Sequence, residues 1–314
     1  MPKIIAMSLF ALLLPTCSTG GPAPLDDSAR GLPEVSTQTT PSGIRITALL
    51  TGWVGIKEAH WHYAPPAFLA PVRITMDSRW HEWIPNIVYL VEHPEKTILV
   101  DTGSGESIND PDYFACNLPA NRFFYNKNLR FLQEPEGRVD RMLERLGKSA
   151  ADIDEVLITH WHGDHVGNLH LFPNARVFTG TGNWPEHLGS MTCHLPADFR
   201  PTTIDYRQDA VGVFPNSDPR TRDGRVRFVP LPGHTPGHAG LVVQDGDSYW
   251  LMVGDATFNL EQTRAKEIAG VSENVADARS TQATIHSQLK QYATILLPAH
   301  EHAAMKRLAS SDAE

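Results

Sequence analysis

Four side chains able to ligate a metal ion, His160, His162, Asp164 and His165, fall within six positions in the stretch EVLITHWHGDHVGNLH at 155–170. The apolar, β-branched run Val156-Leu157-Ile158 ahead of them reads as a buried strand. Gly163 marks the loop at its C-terminal edge, where backbone stops pairing and side chains can converge. Imidazoles and a carboxylate there suit a borderline-soft divalent cation such as zinc. Extended backbone sends His160 and His162 to the same side, so both can reach one ion, whereas Asp164 and His165 lie past the turn and can reach another. Any one of these histidines alone reads better as a solvated polar residue; the group, placed directly after a strand, reads as ligands.

Three further candidates follow apolar segments: His234 in LPGHTPGH, Asp255 in LMVGDA and His300 in LLPAHEH. HWHGDH resembles the HxHxDH signature of the metallo-β-lactamase superfamily, whose pattern continues downstream with a histidine, an aspartate and a histidine in this order. The resemblance spans about residues 85–302. It implies an α/β fold, a four-layer αβ/βα sandwich of two mixed β-sheets with outer helices. Carried over residue by residue, it implies that His160, His162 and His234 hold a first metal and Asp164, His165 and His300 a second, with Asp255 bridging. Asp101, in LVDTG, resembles the family's structural aspartate, which braces the metal loop from behind. His234 matches the ligand of its turn, and His238 is expected to brace the next strand.

Five histidines and two aspartates exceed the four ligands of one tetrahedral zinc, so two divalent ions, zinc by expectation, are the economical reading. Paired cations acidify a trapped water until hydroxide exists at neutral pH, and they polarise a carbonyl. That chemistry cleaves an ester, thioester, lactone or amide with no serine or cysteine nucleophile, and Asp164 is expected to accept a proton as well as to ligate. The pattern is most similar to N-acyl-homoserine lactonases. It departs where those enzymes place a tyrosine three residues beyond the bridging aspartate: here Phe258 has no donor. Thr257, a tyrosine of the 104–137 stretch or a histidine is left to substitute. Alternatives are a β-lactam or thioester hydrolase of the same fold, or a sulfur dioxygenase with a single iron.

These residues must be delivered by strands. Residues 44–56 read as an opening strand at a sheet edge, followed by a loop whose His60 and His62 copy the HxH spacing without a carboxylate. Two prolines disrupt that loop, so both histidines are assigned to a pocket rim or the surface. Residues 86–101 read as two strands joined by a turn and ending at Asp101. The stretch 104–137 shows no clear period and reads as an insertion over the site. Its aromatics, Tyr113, Phe114, Phe123, Phe124 and Tyr125, either line an apolar substrate pocket or pack the loop onto the core, and with Phe258 they supply the substrate-binding candidates Phe258, Tyr113 and Phe123. A helix is expected at 138–147 and strands at 174–180, 224–230, 239–244, 248–254 and 294–297, with a helix around 276–292. His187 and His194, in the loop-rich 181–222 stretch, are assigned to core or surface.

With 314 residues, 41% of them hydrophobic, the chain can bury a large core, and its formal charge of −9 with no basic stripe excludes a nucleic-acid surface. A small molecule is the expected partner. The apolar run Ile4 to Leu14 is too short to span a membrane and fits the core of a secretory signal. Cys17 sits where a bacterial lipoprotein carries its lipid. Thr16 and Pro15 depart from that pattern, so ordinary cleavage or an uncleaved anchor stays open. The division is residues 1–40 as signal or lipoprotein anchor plus flexible linker, exported to the periplasm or held at the membrane, and 41–314 as one catalytic domain. Cys116 and Cys193 either pair or remain ordinary thiols.

Overall fold

Near-continuous apolar runs call for sheets covered on both faces, and the chain builds two. The computed structural model describes residues 20–25, 34–110, 112–184 and 189–310. The expected signal segment, with Cys17, and His187 lie outside the described residues. The first sheet takes β1 (Val35–Thr39), β2 (Arg45–Ile56), β3 (Ile84–His93), β4 (Lys96–Val100), β5 (Leu129–Leu132), β6 (Glu155–Ile158), β7 (Arg176–Thr179) and β8 (Thr202–Thr203). Their order is β1-β2-β3-β4-β6-β7-β8, with β5 paired to β2. The second sheet runs β13-β12-β11-β10-β9, from β9 (Asp218–Pro219), β10 (Val226–Pro230), β11 (Ala239–Asp245), β12 (Ser248–Gly254) and β13 (Ala293–Pro298). Both are mixed: β4, β6, β7 and β8 pair in parallel, as do β12 and β13, and the other pairs are antiparallel.

Alternation then sorts the core into three layers. Ile98, Val100 and Leu157 of the first sheet face Leu241, Val243, Trp250, Met252, Ile295 and Leu297 of the second, forming the slab between them. Their neighbours Leu99, Val156 and Ile158 turn outward and pack under α4 (Val139–Arg145), which buries Val139, Met142 and Leu143. On the far side Val242, Leu251, Val253 and Leu296 meet Leu260 of α6 (Leu260–Ala265) and Ile285 of α7 (Val275–Gln291). Helices cover both outer faces, as the four-layer expectation requires. Leu157 is fully buried between the sheets; trimming it to alanine costs roughly 2–5 kcal/mol in lost contact and cavity. The remaining helices are α1 (Glu58–Trp61), α2 (Ala70–Met76), α3 (Pro119–Asn128), α5 (Gly163–Val166) and α8 (His302–Ser310).

Three expectations need correction. β2 is interior, not an edge, because residues 35–39, counted as linker, pair with it antiparallel at Val35↔Leu49. Even residues 20–25 lie on the domain: Ala23 O accepts the indole N–H of Trp83 at 2.7 Å. The stretch 104–137, read as patternless, contains α3 and also β5, which extends β2 at Trp53↔Leu132. Its helix opens on a proline and is rich in asparagine and aromatics, which blurs the 3.6-residue signal.

Candidate metal centre

All the expected ligands stand just past strand C-termini on one rim of the sandwich: His160 to His165 after β6, His234 after β10, Asp255 after β12 and His300 after β13. The donor atoms converge. His162 Nδ1 lies 3.0 Å from His160 Nε2 and 3.2 Å from His234 Nε2. Three nitrogens bound to one zinc at about 2.0–2.1 Å stand roughly 3.3 Å apart, so this spacing fits a common cation. Asp164, His165 and His300 form a second group of mutually close donors. Their Nε2 atoms lie 3.7 and 3.5 Å from Asp164 Oδ2. Between the groups sits Asp255. Its Oδ2 is 3.5 Å from His234 Nε2 and 3.8 Å from His160 Nε2, while its Oδ1 is 3.1 Å from His300 Nε2 and 3.3 Å from His165 Nε2.

The hydrogen bonds behind the rings aim their lone pairs at this point. Asp101 accepts from Thr159 N, Thr159 Oγ1 and His165 Nδ1, each at 2.8 Å. Since the Thr159 hydroxyl donates to Asp101, its oxygen is free to accept the Nδ1–H of His160 at 3.1 Å. His300 Nδ1 donates to Pro85 O at 2.7 Å. In these three rings the proton is therefore on Nδ1, and Nε2 faces the cage as a bare donor. His165 Nε2 and Asp255 Oδ1 are buried without a hydrogen-bond partner among the described residues. A pair of cations would satisfy both, so the residues present fit the expected metals. Burial holds the pKa of His160 and His234 well below the usual histidine value. Burial also opposes charge on Asp255, yet His300, His165 and His160 outweigh it and keep that carboxyl ionised.

The surrounding loops are tied to one another. Asn183 Nδ2 donates to Thr159 O and its Oδ1 accepts from Thr235, joining the His160 loop to the His234 turn. Asn86 donates to Asp164 O at 2.9 Å. His238, expected to brace the next strand, accepts from Asp255 N at 3.2 Å and stacks on His160, so its ring braces the aspartate loop. Gly254 sits at φ +51° with Thr159 Oγ1 only 2.8 Å from where a Cβ would be, so β12 can turn Asp255 inward only with a glycine there.

The cage floors a narrow cleft walled by Val54, Ile56, Ile84, Phe124, Tyr125, Leu129, Val271 and Phe258. A further groove, lined by Phe68, Pro71 and Ile74, shares Phe124, His162 and Val271 with it. Phe258 is in the cleft as expected. Phe123 is not: it is 41% exposed, and on α3 its neighbour Phe124 turns inward instead. Tyr113 is buried behind the wall, against Phe114 and His194. Tyr125, not among those candidates, lines the cleft, its hydroxyl donating to Gly189 O at 2.6 Å and accepting from Gly163 N. Of the HxH copy, His62 faces out to Glu267 and His60 is buried in the cleft wall. Cys116 and Cys193 are joined in a disulfide with Cα atoms 5.8 Å apart. His194 lies beside it, but paired sulfurs offer no thiolate to a metal. Thr159, Asn86 and Asn183 were not singled out in the sequence; only their adjacency to strand ends marks them.

The family model of the metallo-beta-lactamase superfamily matches residues 82–300. Among curated proteins, a "probable metallo-hydrolase" of Mycobacterium tuberculosis is 28% identical over 258 residues, 76% of this chain and 78% of that one. An N-acyl homoserine lactonase of Bacillus cereus is 28% identical over 185 residues, 57% of this chain and 66% of that one. A solved N-acyl homoserine lactone hydrolase, with the product N-hexanoyl-L-homoserine at its catalytic metal centre, shares the fold at TM-score 0.65 and 18% identity, over 88% of this chain and 96% of that one. The chain is a metal-dependent hydrolase of the metallo-beta-lactamase superfamily.

Proposed function

We propose that the chain is a dinuclear metal-dependent hydrolase that opens the ester bond of a lactone bearing an apolar acyl chain, with an N-acyl-homoserine lactone as the best candidate. The observation that carries this reading is Asp255, which presents one carboxylate oxygen to each of two donor groups at the floor of an apolar cleft. His160, His162 and His234 would hold one ion, Asp164, His165 and His300 the other, and Asp255 both. Two divalent cations, zinc by expectation, would supply a water acidic enough to attack at neutral pH and positive charge for the carbonyl oxygen.

The rest falls to the chain. Asp164, which lines the cleft, would take the proton of the attacking water and return it to the leaving ring oxygen. The water oxygen bonds to the carbonyl carbon, the ring C–O bond breaks, and a hydroxy acid leaves. Val54, Ile56, Ile84, Phe124 and Leu129 exclude bulk water and receive the acyl chain, at roughly 0.8 kcal/mol per methylene buried. The groove beyond Phe124 lengthens that path. The lactonases among the chain's relatives support the same choice of substrate.

Zinc-loaded protein assayed on acyl-homoserine lactones of increasing chain length, with a thioester and nitrocefin beside them, tests this. Expected are lactone turnover that favours longer chains, loss of turnover on chelation, and little nitrocefin cleavage; no turnover at any chain length would sink the lactone reading. Export and a lipid at Cys17 are proposed on the N-terminal sequence alone. Fatty-acid label should enter the wild type and not Cys17→Ala, and an unlabelled wild type excludes the anchor.

A further inference from the structure

His60 is buried in the cleft wall, 3% exposed, and its Nε2 has no hydrogen-bond partner among the described residues. The other ring nitrogen decides where the proton is. Residues 56–58 run antiparallel to 79–81, with Glu58 N donating to Arg79 O and His81 N to Ile56 O. That pattern leaves Lys57 N without a ladder partner, and it donates instead to His60 Nδ1 at 3.0 Å. Lys57 O, 3.2 Å from the same nitrogen, already accepts from His60 N at 2.9 Å. Nδ1 is therefore the acceptor, and the single proton of the neutral ring sits on Nε2. Burial keeps the ring neutral by holding its pKa down at about 3.

A protonated Nε2 cannot ligate a metal, which explains why the HxH pair at 60 and 62 is no third half-site: His62 points outward and His60 offers a hydrogen, not a lone pair. The ring is also held firmly. Gly270 N donates to His60 O at 2.7 Å, the edge of Phe124 packs against it, and the neighbouring Trp61 lies on Phe258. Beside a cleft where Phe258 brings no donor, one fixed N–H in the wall remains uncommitted among the described residues.

We propose that His60 is a catalytic residue whose Nε2–H donates to the carbonyl oxygen of the bound substrate. In an apolar cleft such a bond strengthens as negative charge grows on that oxygen, so it acts on the transition state more than on the ground state. The assignment rests on the carbonyl-hydrolase reading above, not on the lactone in particular.

Wild type, His60→Leu and His60→Gln, each zinc-loaded, are compared on acyl-homoserine lactones, 4-nitrophenyl esters and acyl thioesters, with bound metal and Tm measured on the same samples. On whichever substrate the wild type cleaves, His60→Leu is expected to lose roughly 10²–10³-fold in kcat, with full metal content and a Tm no lower than wild type. His60→Gln, which retains an N–H donor, should recover part of that loss. Cleavage of esters or thioesters but not lactones would remove the lactone reading and leave this one standing. An unchanged kcat in His60→Leu, a loss accompanied by loss of metal or of Tm, or a wild type inert on all three classes would overturn it.

Discussion

Asp101 accepts the Nδ1–H of His165 at 2.8 Å from a left-handed backbone position, φ 64°. That conformation costs on the order of 1 kcal/mol in a residue other than glycine, and aspartate is among the few that tolerate it. The strain is offset because the same carboxylate also takes both donors of Thr159, which fixes His160 through the threonine hydroxyl. One residue thus sets the aim of a ring in each donor group.

Asp101→Asn should therefore weaken metal binding without touching a ligand. An amide has one acceptor oxygen where three donors now converge. Metal affinity, read by competition with a chromogenic chelator, is expected to fall about 10–100-fold; unchanged affinity would show that Asp101 does not orient the cage.

The Cys116–Cys193 bond spans 77 residues of sequence and ties the 104–137 segment to the loop that carries Gly189. Gly189 in turn receives Tyr125 and lies against His162. Replacing both cysteines with serine should lower stability by roughly 2–4 kcal/mol and raise KM, because the cleft wall loses its tether, while metal content is retained, since none of the seven donors lies on either cysteine's turn. Equal Tm values for the oxidised protein and the double variant would contradict this.

Glu155, at the start of β6, is buried between Arg220 and Lys96. Burial alone would raise its pKa, but the two cations outweigh it and hold the carboxyl below its ordinary value of 4.5. A carboxyl depressed in the folded state contributes stability above its unfolded pKa and loses it as pH falls through the folded value. Wild type should therefore lose Tm below about pH 4.5, and Glu155→Gln should show a lower Tm at pH 7 with a shallower fall in acid. Parallel Tm–pH curves for the two proteins would refute the assignment. Metal-free protein should be used, because acid also protonates the ligands.

The candidate ligands at 160–165 and the strand that carries them were legible because both signals are local: a continuous apolar run and a donor cluster immediately after it. Asp101 was legible only through its resemblance to the superfamily's structural aspartate. What escaped was set by distant contacts. β5 is a strand because β2 offers it an edge, not because LRFL alternates convincingly. Phe124 rather than Phe123 faces the cleft because α3 packs one way up on α2, a choice one residue of phase decides. His60 looked like a decoy ligand; its ring aim depends on a backbone N–H that a bridge to Trp80 leaves unpaired. No pattern along the chain announces that.

Metal content per chain, by mass spectrometry on purified protein, tests the central arrangement most directly when wild type and Asp255→Ala are measured side by side. Two bound divalent ions in the wild type, and at most one retained tightly in the variant, are expected from an aspartate shared between two donor groups. One ion or none in the fully loaded wild type, or two held equally well without Asp255, would contradict it.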